Sequence, residues 1–217
     1  MSESLHAFFA KRLADAAKAL AGNGFSVSVA GNPQAARELA LAEARALPPG
    51  ASVSFGGSKT LHDLGIVEAV RGLSGIALLD TFEKSLPEAE KHERRRKALL
   101  SDLFLLGANA VTLQGALVNL DMWGNRVGGL VFGPRRVVVV AGRNKLVADV
   151  PAAMRRIKEL AAPANAMRLK KKTPCAKTGR CRDCDSPERI CNVWTITEKC
   201  FPRERIAVVL VNADLGL

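Results

Sequence analysis

The chain has 217 residues, 48% of them hydrophobic, which is enough to bury a core and too apolar for a disordered chain. Its net charge of +11 favours an anionic partner, yet the basic residues are dispersed, tyrosine is absent and aromatics make up only 5%, which disfavours nucleic acid because base-stacking platforms are scarce. The longest apolar runs, 137–141 and 206–211, fall far short of the roughly 18 residues that a membrane-spanning helix needs.

The N-terminal stretch places Leu5, Phe8, Phe9, Leu13, Ala16 and Leu20 at helical spacing with charges between them, predicting an amphipathic helix and no export signal. A cytoplasmic, reducing setting is therefore expected, where clustered thiols bind metal or do redox chemistry more often than they form disulfides. Next, "FSVSVAG" alternates like a strand, and a helix is expected from Pro33 to the Pro-Pro-Gly at 48–50. "ASVSFGG" reads as a strand running into a glycine turn, "TLHDLGIVEAVRGL" as one or two short helices, and "GIALLD" as a buried strand. Ser85 and Glu88 have capping-box spacing, so a long helix is expected whose second half buries Leu99, Leu100, Leu103 and Phe104. Beyond Asn109, "NAVTLQGALVNL", "RVGGLVFG" and "RRVVVVAG" read as strand-like pieces separated by glycine turns. Asp149 and Pro151 open a further helix, and "RIAVVLVNADLGL" supplies the last strand.

Alternating strands and helices predict a single α/β domain over 1–217, a mostly parallel or mixed sheet flanked by helices. Within it, 1–50 is an N-terminal helical region and 169–200 a cysteine-containing loop before the last strand.

Three stretches carry candidate chemistry. In "SFGGSKTLHDLGI", Gly56, Gly57, Ser58, Lys59 and Thr60 follow a strand and open a helix, the place where backbone N–H groups favour an anion in an α/β sheet. A plain turn capped by Ser58 or Thr60 is the competing reading, and no Walker A spacing is present. In the middle segment, Asn109, Thr112, Gln114, Asn119, Asp121 and Asn125 are threaded through apolar sequence, with Asn119 and Asp121 on one face by period-two alternation near a Gly-Asn turn. Buried amides and carboxylates need partners, so this is either a polar pocket or a hydrogen-bond network; Asp121 is the candidate acid or base. His6, His62 and His92 are scattered and form no hydrolase or zinc-protease pattern.

The third stretch, "TPCAKTGRCRDCDSPERIC", spaces Cys175, Cys181, Cys184 and Cys191 as C-x5-C-x2-C-x6-C. The central pair suits two thiolates reaching one metal, zinc or an iron–sulfur cluster, although the whole spacing matches neither a zinc ribbon nor the bacterial ferredoxin run. A polar loop with unligated thiols is the alternative, and Cys200 reads as packing.

Taken in order, "SFGGSKTLHDLGI", "FLLGANAVTLQGALVNLDMWGNRVGGLVFGPRRVVVVAGRNKLV" and "TGRCRDCDSPERICNVW" closely resemble the LUD-domain (lactate utilisation) family, in its branch with a cysteine-containing C-terminal loop, from about Ser54 to Leu217. The resemblance implies a fold like that of the sugar-phosphate isomerase, glucosamine-phosphate deaminase and CoA-transferase group. Some family members belong to an iron–sulfur system that oxidises lactate to pyruvate, which implies organic-acid utilisation and iron–sulfur partner proteins. The positions carried over are Gly56, Gly57, Ser58 and Thr60 with Asn109, Thr112, Gly115 and Asn119, to be read against a small anionic or phosphorylated ligand. No CoA-transferase glutamate motif is present. An isomerase- or transferase-type enzyme and a non-catalytic subunit of a redox complex are the alternatives, and homo-oligomerisation is left open.

Overall fold

A computed structural model describes residues 3–217. Six strands form a wholly parallel sheet: β1 (Ser26–Ala30), β2 (Ser52–Phe55), β3 (Ala77–Leu79), β4 (Leu103–Gly107), β7 (Arg136–Gly142) and β10 (Ile206–Val211), in the spatial order β1-β10-β7-β4-β2-β3. Strict alternation splits the side chains of its strands between two cores. Val138, Val140, Val209, Leu103 and Leu105 pack on one face against α2 (Pro33–Arg45), α3 (Lys59–Asp63) and α4 (Ile66–Arg71). Val137, Val139, Val208, Phe104 and Leu106 pack on the other against α1 (Glu3–Gly22). A parallel strand covered on both faces reads as a continuous apolar run, as "RVVVVAG" and "IAVVLV" do.

A second sheet is inserted at the C-terminal ends of the first. It comprises β5 (Ala110–Thr112), β6 (Leu117–Asp121), β8 (Leu146–Val147) and β9 (Val193–Thr197) in the order β8-β5-β6-β9. The β5–β6 hairpin turns at Gly115, whose φ of +82° favours glycine and whose missing Cβ would lie 2.6 Å from the Ala19 carbonyl carbon of α1.

Several expectations need correction. The helix after Pro87, α5 (Glu88–Lys97), ends before the leucines and has no side-chain cap, because Ser85 bonds Glu83 instead. After one 3-10 turn the chain enters β4, so Leu103 and Phe104 are buried in a strand and Leu100 is 83% exposed. The run "LFLLG" is short and apolar on both sides, which periodicity cannot assign between helix and buried strand. "RVGGLVFG" is a helix, α6 (Asn125–Val131), entered through Gly124 in the left-handed region, so the Gly-Asn pair starts a helix and closes no hairpin. Gly129 is required there because its Cβ would meet the Phe104 ring at 2.7 Å. The "GIALLD" strand is β3 at the sheet edge, only partly covered.

The remaining helices are α7 (Val150–Arg156), α8 (Ala162–Arg168) and α9 (Pro174–Thr178). Asp149 caps α7 by accepting from the Ala152 N–H at 2.8 Å. Between α7 and α8 the chain widens into a π turn, Ile157–Ala161, just before Pro163, which has no N–H to give to the ladder.

Candidate functional site

Chain direction in the parallel sheet locates the site. From β2 the chain runs outward through α3 and α4 to β3, whereas from β4 it runs the other way, through the second sheet, to β7. Connections that diverge leave a crevice beyond the carboxyl ends of the two strands, here β2 and β4. A cavity of about 910 Å³ opens there, lined by Gly57, Ser58, Lys59 and Thr60 after β2, Ala108 and Asn109 after β4, and Lys145 after β7. Asp121, Asn125 and Arg126 form another wall, and Ile157, Ala161 and Ala162 bring the π turn to its edge. A smaller hollow of about 370 Å³ by Arg45, Pro49 and Gly75 gathers no comparable polar groups.

Ser58 is the N-cap of α3, its Oγ accepting from the Leu61 N–H at 3.3 Å. The turn reading and the pocket reading of the glycine loop therefore describe the same residues. Gly107 lets β4 end against them, since a Cβ there would lie 2.7 Å from Ser58 Oγ. Gly56 does not line the cavity; it makes room for Arg126, whose Cγ would be 2.7 Å from its Cβ.

Arg126 organises the middle segment. It is 7% exposed, and Nη1 donates to Gly107 O at 3.2 Å and Asn119 Oδ1 at 3.0 Å, while Nη2 donates to Asn109 Oδ1 at 2.9 Å and Leu120 O at 3.0 Å. Burial lowers its pKa from the usual guanidinium range, opposed by the nearby Asp121 carboxylate. Asn109 and Asn119 also cross-brace the backbone: the Asn109 N–H donates to Asn119 Oδ1 and the Leu120 N–H to Asn109 Oδ1. Asp121 accepts from the backbone N–H groups of Arg126 at 3.1 Å and Val127 at 3.4 Å, which starts α6. Both sequence readings of this segment thus meet: the polar side chains form a network whose front edge faces the cavity.

Thr112, Gln114 and Gly115 stand elsewhere. Thr112 Oγ1 accepts from the Ala116 N–H inside the hairpin, and the carbonyls of Gln114 and Gly115 accept from Asn23 beside α1. They shape the hairpin that carries Asn109 and Asn119 and do not line the cavity.

No motif in the sequence points to Lys145, Arg126 or Arg156. Lys145 is 4% exposed, and its Nζ donates to Thr60 Oγ1 at 2.8 Å. Burial, then the charges of Arg156 and Arg126, lower its pKa to about 7. Arg156 donates to Asn144 O and Asn109 O, and its Nη2 is buried with no partner among the described residues. The available signal was position: "GRNKL" follows the end of a central strand, where loops reach the crevice.

Five cations on the cavity wall, Lys84, Arg95, Lys145, Arg168 and Lys171, form no ion pair with a carboxylate among the described residues. Lys59 and Arg71 are paired with Asp63 and Asp80. Trp123 stands 59% exposed at the rim with the Arg95 guanidinium 5.8 Å from its ring centroid.

The cysteine excursion abuts this rim. Ile190, which lines the cavity, clusters with Cys175, Cys191 and Met122. All five cysteines are free thiols, and among the described residues no group of three or more His, Cys, Asp or Glu side chains is arranged to hold a metal ion. Burial raises the Cys191 thiol pKa; Lys158 opposes this, and Cys181 and Cys175 add to it. Lys158 and Arg189 both pair with Asp183, bracing the loop against the π turn. Cys200 is buried in the main core, as packing.

Among the described residues no helix is long and apolar enough to cross a membrane. A comparison with curated proteins finds no match. Among solved structures, the chain is similar to a DUF162 family protein from Deinococcus radiodurans, with 18% identity over 94% of this chain and 98% of that one and a TM-score of 0.52, a likeness of fold. Another match, eIF2B delta from Chaetomium thermophilum, has 14% identity over 55% and 50% of the two chains and a TM-score of 0.34, too low to bear on the fold. The family model of the LUD domain matches residues 13–211, nearly the whole of both sheets and the crevice between them, and the chain belongs to the LUD-domain family.

Proposed function

We propose that the crevice binds a small anionic organic ligand, a carboxylate or phosphate ester, and that the protein serves in the utilisation of lactate or a related organic acid. The observation that carries this reading is the set of wall cations without carboxylate partners among the described residues, gathered where a parallel sheet opens a crevice. An isolated ammonium beside low-dielectric walls gains from a bound anion, and the donors Ser58, Thr60 and Asn109 stand among these cations. Thermal-shift titration with inorganic phosphate, lactate and pyruvate tests it. Stabilisation by at least one anion, weakened by Lys171→Glu with Arg168→Glu and by added salt, is expected. Melting curves unmoved by every anion would remove the reading.

The thiol excursion supports a separate proposal, a zinc or iron–sulfur site at Cys175, Cys181, Cys184 and Cys191. The donors are soft, and Cys181 and Cys175 lie close enough to Cys191 to help raise its thiol pKa, but a metal would have to draw the sulfurs together. Metal analysis and absorbance spectra of anaerobically purified protein test it: stoichiometric metal that disappears in Cys181→Ser with Cys184→Ser is expected, and metal-free, colourless protein would oppose it.

A further inference from the structure

Lys145 combines features that anion binding leaves unused. Its Nζ is buried in the cavity wall, has Thr60 Oγ1 as its hydrogen-bond partner and forms no ion pair among the described residues. A structural lysine at this depth would ordinarily be paired, because a buried ammonium without a counter-ion costs several kcal/mol. The surrounding charges do the reverse of pairing it. Arg126 from α6 and Arg156 from α7 repel the ammonium, while Asp63 from α3, the carboxylate that favours it, is engaged by Lys59 and by the Gly216 N–H. Gly216 also keeps space open, since a Cβ there would lie 3.2 Å from Nζ and 2.5 Å from Thr60 Oγ1. At a pKa of about 7 much of the amine carries a free lone pair at neutral pH, the condition under which a desolvated lysine beside other cations becomes a nucleophile.

Building on the anion-binding reading, we propose that Lys145 is a catalytic amine whose Nζ condenses with the carbonyl carbon of an anionic 2-oxo compound held in the crevice, forming an imine. The nitrogen lone pair forms the new C–N bond as the carbonyl π electrons move to oxygen, which takes a proton from nitrogen to give a carbinolamine. That hydroxyl leaves as water with the remaining nitrogen proton, and the nitrogen electron pair closes the C=N bond; amine and carbonyl become imine and water, with no oxidant or reductant. Thr60 is a positioning residue that holds Nζ through its hydroxyl, and the wall cations retain the ligand's acidic group.

The test is reductive trapping with pyruvate and cyanoborohydride on the full chain, read by intact mass and peptide mapping. One adduct is expected, on the peptide containing Lys145, with trapping that slows as pH falls below about 7. Lys145→Met, similar in volume, and Lys145→Arg should each lose about tenfold or more of the trapping while keeping the wild-type circular dichroism. Thr60→Val should slow trapping without changing the adduct's location. An adduct spread over Lys59, Lys84 and Lys171, or one undiminished in Lys145→Met, overturns the proposal, and site mapping on the wild type decides this even if a variant misfolds. Inorganic phosphate, which has no carbonyl, separates the two readings. Stabilisation by phosphate without trapping leaves anion binding standing and removes the amine, whereas trapping at Lys145 without stabilisation by any anion removes anion binding and keeps the amine.

Discussion

Arg126 satisfies acceptors that no other side chain among the described residues reaches. Arg126→Met would remove a donor from each of Asn109 Oδ1, Asn119 Oδ1 and two backbone carbonyls in a dry interior, and leave Asp121 without its guanidinium. The expected loss is about 3–5 kcal/mol in urea unfolding. Arg126→Lys should recover little of it, because one ammonium cannot span four acceptors. Lys145 gives the opposite sign. Its pKa is about 7 in the fold against the ordinary lysine value of 10.5, so between those values the unfolded chain binds more protons and this group makes stability rise with pH. Lys145→Met should therefore stabilise the fold by roughly 1–3 kcal/mol at about pH 6, with the gain fading toward pH 10.5, as measured by denaturant titration at several pH values. Polar residues in apolar sequence announced Asn109 and Asn119 as a network or pocket. Arg126 stayed hidden because "GNRVGG" has the look of a solvated turn, and only the approach of Gly56 to its stem shows that it runs inward.

At the scale of elements, the β5–β6 hairpin is held by a contact that tolerates no added atom. Gly115→Ala would set a Cβ against the α1 backbone in a positive-φ conformation, and a cost of about 2 kcal/mol or more is expected from thermal unfolding. Element identity was legible wherever a signal stood alone. Pro33 after Asn32 started α2, Asp149 before Pro151 started α7, and "RRVVVVAG" and "RIAVVLV" had no competing helical period. It failed where local and tertiary signals conflicted. "KALLSDLFLLGA" carries helical composition on past Lys97, where the helix ends, but the Asp102 carboxylate accepts from the Ser52 N–H at 2.8 Å and commits the following residues to the sheet. In "RVGGLVFG", β-like residues and glycines are helical because Gly129 must pass the Phe104 ring, a constraint invisible without the partner.

For the whole molecule, the two cores share the large parallel sheet, while α5 buries none of its residues. Amide exchange should accordingly be slowest in β7 and β10 and fast in α5, read residue by residue, because local opening is governed by buried apolar contact. Protection in α5 equal to that of β7 would contradict this. The crevice position followed from strand order, which a linear sequence does not display: nothing in residues 206–211 says that they lie between β1 and β7.

That placement bears on how the chain assembles during synthesis. Among the described residues the first strand to emerge has no ladder neighbour except the last of the ten, so Ser26–Ala30 must wait, unpaired along its backbone, while almost all the intervening chain is made. Long-range pairing of this kind slows folding and leaves nascent chains dependent on shielding of that edge. A chain arrested before Ile206 would expose two ready templates, the free sides of β1 and β7, for pairing with another molecule.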